Sequence, residues 1–324
     1  MDNDNDNFVL TTPVVFITFN RLDTAQEVFE QIKKAAPRKL YLISDGARQN
    51  RQGEAKKVAE VRGYIEAGID WDCEVHRIYA DSNMGCRGRI ASGLDEVFEH
   101  EDTAIIIEDD IKPHNTFFRY CQTMLEWYKD DERIGMITGC NLCPDYDCGR
   151  DYIFSKITEI WGWATWRRVW KNYRISITDE EMKELADTRY LRNYWGRWYG
   201  DTIMKGLIDV KLERCSAWSY SLSYLIATNN QLVIVPGHNL ITNIGFERED
   251  ATNTAGKSRY VFPEGELEFP IARRSGCSVD YEYDKQYVDA YHKENPVQFV
   301  YSFVVSHYLD WKKDRQRRKK GCQK

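Results

Sequence analysis

The chain has 324 residues, enough for one large α/β domain or two ordinary ones, and 42% hydrophobic with 13% aromatic residues supports a sizeable core. A net charge of −6 argues against a general nucleic-acid binder and leaves an anionic substrate to be met by a metal or by local arginines. No apolar run reaches the roughly 18 residues of a membrane-crossing helix. Residues 1–7, Met1-Asp2-Asn3-Asp4-Asn5-Asp6-Asn7, are polar and acidic, the opposite of a signal peptide, and read as a disordered tail. Nine cysteines at irregular spacing point to reduced thiols in a cytoplasmic protein. Cys140, Cys143 and Cys148 lie close together without a suitably spaced fourth ligand, which favours structural thiols over zinc.

In chain order, Pro13 to Phe19 reads as a buried first strand with Asn20-Arg21 at its C-terminal end. A helix over 22–36 comes next, with Val28, Phe29 and Ile32 on one face. Lys39 to Ser44 is a second strand ending in Asp45-Gly46, and 54–67 a second helix. Glu74 to Tyr79 is a third strand, Asp81 to Gly85 a polar turn, and 87–99 a third helix. The alternation predicts a parallel sheet with its polar strand ends on one edge, where open α/β sheets bind ligands.

The fourth strand is the organising stretch. Thr103-Ala104-Ile105-Ile106-Ile107 runs into Glu108-Asp109-Asp110, and Pro113 stops it. Three adjacent carboxylates repel one another, and a hard divalent cation would relieve them. An acidic turn capping the helix from about Asn115 is the other reading of the run taken alone. Four polar strand ends converging on one crevice favour a ligand site. Arg87 and Arg89, in a helix's first turn, would suit a diphosphate, and Asp45 a base or ribose. Neither Gly-x-Gly-x-x-Gly after the first strand nor a P-loop signature is present.

Val14 to Arg21, Ser44-Asp45, Gly88-Arg89 to Phe98 and Ile107 to Asp110 together resemble a GT-A glycosyltransferase. The pattern is similar to the inverting N-acetylglucosaminyltransferase that starts complex N-glycans, and to bacterial nucleotide-sugar transferases. Trp161-Gly162-Trp163 through Arg168 resembles the acceptor-side aromatic segment of the bacterial group, and Asn239 to Thr252 its lid. The resemblance implies a GT-A, Rossmann-like fold: a mostly parallel sheet flanked by helices over 8–275, followed by a helical extension over 276–324.

It further implies that Arg21, Asp45, Arg89, Glu108 and Asp109 contact the donor, and that Asp110 holds Mn²⁺ or Mg²⁺ on its diphosphate. Trp161 and Trp163 fall on the acceptor side, and Asn243 and Gly245 in the lid. A nucleotide sugar, with uridine favoured, would be the donor, and a glycan or lipid-linked molecule the acceptor, as in bacterial surface polysaccharide synthesis. The chain departs from the pattern at Ser219, which stands after Trp218 where the family has its catalytic carboxylate. A serine is no general base near neutrality unaided, so Glu213 substitutes or catalysis is impaired. A nucleotidyltransferase of similar fold is the other enzyme reading.

From 296 to 311, Phe299, Val300, Phe303, Val304, Tyr308 and Trp311 recur at helical spacing. Residues 312–320 then hold seven basic residues and one acid. That combination suits peripheral contact with an anionic membrane, and equally a docked helix with a solvated tail.

Overall fold

The computed structural model describes residues 8–246 and 265–293. The acidic tail, residues 247–252 of the expected lid, and the apolar and basic C-terminal stretch lie outside the described residues.

The first half alternates as its periodicity predicts: β1 (Val14–Thr18), α1 (Leu22–Ala35), β2 (Lys39–Ser44), α2 (Glu54–Gly68), β3 (Glu74–Tyr79), α3 (Gly85–His100) and β4 (Thr103–Glu108). Then come β5 (Ile111–Pro113), α4 (Phe117–Trp127), β6 (Ile134–Thr138), β7 (Tyr152–Ser155) and β8 (Trp163–Trp166). Five helices succeed them: α5 (Arg167–Trp170), α6 (Asp179–Thr188), α7 (Tyr190–Trp195), α8 (Arg197–Lys211) and α9 (Ser219–Thr228). Last are β9 (Leu232–Pro236), β10 (Ile241–Asn243) and α10 (Tyr281–Tyr291).

Eight strands form one sheet in the order β3-β2-β1-β4-β8-β6-β9-β7. β3, β2, β1 and β4 are parallel, as are β6 and β9, while β8 and β7 run against their neighbours. This is an α/β fold with a mostly parallel central sheet flanked by helices. β1 is buried at every position and β4 from Ala104 to Ile107, which explains the continuous β-branched runs: each strand is covered on both faces.

Helix faces obey the same logic. On α1, Thr24, Ala25, Val28, Phe29 and Ile32 are buried, and Ala36 ends the helix in the left-handed conformation ahead of Pro37. α1 packs on α2, α3 across β2 and β4, and α4 across β4, β6 and β8. α6 opens with a capping box between Thr178 and Glu181. α10 joins the same core: Tyr283 and Tyr287 are buried, and Val279 bridges Phe154 of β7.

One inserted strand shapes the crevice edge. β8 enters antiparallel between β4 and β6, so its start lies beside their C-terminal ends. The loop before β8 therefore joins the edge at which β1, β2, β3 and β4 finish. β10 and β5 make a separate antiparallel ribbon beside the end of β4.

Candidate active site

At the end of β4 the three acids diverge. Asp109 turns inward, and its Oδ2 accepts a hydrogen bond from Phe19 N at 3.1 Å, tying the ends of β4 and β1. Asp110 faces the crevice and pairs with Arg21, Nη1 to Oδ2 3.2 Å, across the short turn between β1 and α1. Burial, then the charges of Asp110 and Asp109, push Glu108 up to about 8, with Arg21 pulling the other way. Burial and two neighbouring carboxylates thus disfavour a charge on Glu108.

Asp110 is held from its far side by the turn after β10. Ile244 N donates to Asp110 O at 2.8 Å, and Gly245 N to Asn243 Oδ1 at 2.9 Å. A Cβ on Gly245 would stand 2.4 Å from Asp110 Oδ2, so only glycine lets the turn come this close. Asn243 and Gly245, expected in a lid, build the wall behind Asp110.

A cation is the test of this arrangement. Among the described residues no three His, Cys, Asp or Glu side chains form a cage for one. The acids gathered at this strand end fit a cation held by Asp110 with most of its ligands supplied from outside the protein, as a diphosphate would supply them.

Asp45, expected to contact a base or ribose, is engaged by the protein itself. Its carboxylate accepts from Gly46 N and Met84 N at Oδ1, at 2.9 and 2.8 Å, and from Asn83 Nδ2 and Gly85 N at Oδ2, both 2.9 Å. Four donors fill its lone pairs and only 5% of the residue is exposed, so it organises the entry to α3. Gly46 allows that fit, since a Cβ there would meet the Ser82 backbone at 2.5 Å.

The arginines of α3 part ways too. Arg87 donates to Val210 O at 3.1 Å, joining α3's first turn to the end of α8 rather than presenting both nitrogens to an anion. Arg89 is buried at 7% exposure, with Nε unpartnered and Nη1 reaching Met84 Sδ at 3.6 Å. Burial lowers its pKa and the charge of Asp45 raises it. A guanidinium with spare donors behind this crevice wall is the kind of group an anion would satisfy.

Two polar residues that sequence reasoning passed over complete the wall. Glu54 receives Asn20 Nδ2 at 3.0 Å and Arg48 N at 2.7 Å, and pairs with the Arg48 guanidinium. Arg62 binds Ser44 Oγ, Asp45 O and Ala80 O at 3.0 to 3.1 Å, clamping the ends of β2 and β3. Their signal in the sequence, a charge on a helix, is too common to single out.

On the acceptor side the two tryptophans separate. Trp161 is half-buried and meets Phe246 edge-on, 5.4 Å between centroids. Trp163 is 1% exposed, inside β8, against Trp170 and Trp218 at 6.1 and 5.4 Å. Alternation along a central strand turns it into the core. Ser219 is half-buried at the start of α9, above this tryptophan cluster. Glu213 is exposed in a left-handed turn after α8.

One carboxyl in the loop before β8 went unnoticed in the sequence. Glu159 accepts a hydrogen bond from the Tyr287 hydroxyl on α10. Burial pushes it up to about 7, and that hydrogen bond pulls it down. Its only sequence signal is an acid two residues before Trp161.

No family model and no curated protein matches the chain. Among solved structures it is similar to the mannosyltransferase PcManGT from Pyrobaculum calidifontis in complex with GDP-Man and Mn²⁺. Identity there is 13%, coverage 68% of this chain and 74% of that one, and the TM-score 0.39. It is similar to S. aureus TarS 1–349 at 8% identity, covering 73% and 61%, with a TM-score of 0.41. UDP-glucose pyrophosphorylase complexed with UDP-glucose matches at 9% identity, covering 70% and 90%, with a TM-score of 0.35.

Proposed function

We propose that the protein is a glycosyltransferase that moves a sugar from a nucleoside-diphosphate donor to a hydroxyl acceptor, with inversion at the anomeric carbon. The observation that carries this reading is the gathering of three acids at the C-terminal edge of the sheet, with Asp110 paired to Arg21. Mn²⁺ or Mg²⁺ held by Asp110 would supply Lewis-acid stabilisation of the departing diphosphate. Arg21 would orient the donor's phosphates, and Arg89 lies behind the same wall with donors to spare. Trp161 would give the acceptor sugar an apolar face. A uridine nucleotide, a glycan or lipid-linked acceptor, and tethering of 312–320 at an anionic membrane are the finer parts of this proposal.

A nucleotidyltransferase would usually carry a glycine-rich basic loop after its first strand. Here β1 passes to α1 through Phe19-Asn20-Arg21, without glycine, which disfavours that reading. Among the described residues, no helix is long and apolar enough to cross a membrane.

The test is a panel of nucleotide sugars measured by thermal shift with and without Mn²⁺, then an assay of sugar release. A metal-dependent shift with slow release of free sugar is expected. A shift without any release would make the protein a binder that has lost catalysis.

A further inference from the structure

The family position for the catalytic carboxylate holds Ser219, and Glu213 is exposed in a turn. A transferase of this kind still needs an acceptor for the hydroxyl proton. We propose that Glu159 is that base, a role that rests on the transferase reading above.

Strand register is the first support. β4 and β8 pair from Thr103↔Trp166 to Ile106↔Trp163. The loop before β8 and the acid cluster thus leave the same edge of the sheet from neighbouring strands.

A chain of contacts is the second. Trp161, two residues from Glu159, meets Phe246, and Phe246 comes directly after the Gly245 that abuts Asp110. Trp161 O is also fixed by Cys140 Sγ at 3.1 Å, and Gly162 O by Gly139 N at 2.7 Å. The loop is anchored to the end of β6, so its carboxyl has a defined place.

The surroundings of Glu159 are the third. Tyr287 on α10 donates to it, and His292 Nε2 approaches that same hydroxyl at 3.3 Å. Cys140 after β6, Tyr199 on α8 and Tyr283 on α10 are the other titratable neighbours that sense its charge. Among the described residues no Lys or Arg contributes to its titration, so burial dominates and the carboxyl is pushed up to about 7. A base poised there exchanges protons efficiently at neutral pH.

In the step, the acceptor O–H proton passes to a Glu159 oxygen as the acceptor oxygen bonds to the anomeric carbon. The bond from that carbon to the donor's phosphate oxygen breaks, and its electron pair leaves with the nucleoside diphosphate.

The experiment gives the full chain UDP-N-acetylglucosamine, UDP-glucose and GDP-mannose with Mn²⁺, with water as acceptor, and monitors nucleoside diphosphate release. Glu159→Gln should lower release about 10²–10⁴-fold. Thermal stabilisation by the nucleoside diphosphate should persist in that variant. Wild-type kcat/KM should fall on the acid side with an apparent pKa of about 7. Tyr287→Phe, which removes the hydrogen bond favouring the charged form, should move that limb to higher pH.

Undiminished release by Glu159→Gln overturns the role of Glu159 alone. Loss of nucleotide binding together with release makes the residue structural and also overturns it. An acid limb that Tyr287→Phe leaves in place has the same meaning. A wild type that neither binds nucleotide nor cleaves any of these donors removes the transferase reading itself, and the role with it.

Discussion

Gly245 lies hard against Asp110: a methyl group in place of its α-hydrogen would stand 2.4 Å from Asp110 Oδ2 and 2.9 Å from Asp110 Cβ. The acid offered to the crevice is therefore backed by bare backbone, and its position depends on nothing larger arriving there. Gly245→Ala should displace the Asp110 carboxylate and weaken its pairing with Arg21. Overpacking of this kind costs about 1–3 kcal/mol. Chemical denaturation should find that loss, together with weaker metal-dependent nucleotide binding; wild-type behaviour on both counts would mean that Asp110 tolerates the shift.

Asp110→Ala asks the complementary question. Asp110 is paired with Arg21 at side-chain exposures of 18% and 16%, yet it adds to the repulsion around Glu108. The two effects oppose, so unfolding free energy should change by about 1 kcal/mol or less. The additional thermal shift that Mn²⁺ gives with a nucleoside diphosphate should vanish. An unchanged shift would take the metal away from Asp110.

Asp45 makes the opposite prediction, because its four hydrogen bonds all go to the protein. Asp45→Ala strands the amides of Gly46, Met84 and Gly85, and groups left unsatisfied cost about 1–3 kcal/mol apiece when buried. Since the Met84–Gly85 turn is partly solvated, a total loss of about 2 kcal/mol is expected in urea unfolding. A variant of full stability but impaired nucleotide affinity would restore the direct donor contact.

Glu181 gives a pH-dependent expectation for stability. The Arg174 guanidinium, with the amide and hydroxyl of Thr178 and the Tyr224 hydroxyl, holds its carboxyl down to about 2 against the opposing effect of burial. A depressed folded value means that the unfolded state binds the proton more readily. The contribution is complete above the ordinary value near 4.5 and is lost as pH falls through about 2. Glu181→Gln should destabilise the protein by about 1 kcal/mol at pH 7, as the loss of a capping partner does. Its stability should fall less steeply than wild type between pH 4.5 and 2, and parallel curves would refute the assignment.

From the sequence alone came the first four strands, the three helices between them, and the edge at which Arg21, Asp45 and Glu108 to Asp110 gather. Those elements are local: buried parallel strands demand continuous β-branched runs, and helices covering them demand a single apolar face. The alternation of the two then dictates the edge. Which acid faces the crevice was not legible in the residues themselves, and only the resemblance singled out Asp110. Glu108, Asp109 and Asp110 are alike as letters, and the Phe19 amide, Arg21 and the turn at Gly245, all distant in the chain, separate their roles. The surroundings of Asp45 and Trp163 were hidden for the same reason, since a saturated carboxylate and a core indole look like ligand groups until their neighbours are placed. Glu159 was hidden because its surroundings come from residues after β6 and on α8 and α10, far from it in the chain. Local periodicity decides the elements, whereas charge, burial and reach depend on residues far apart in the chain, and those only the tertiary structure brings together.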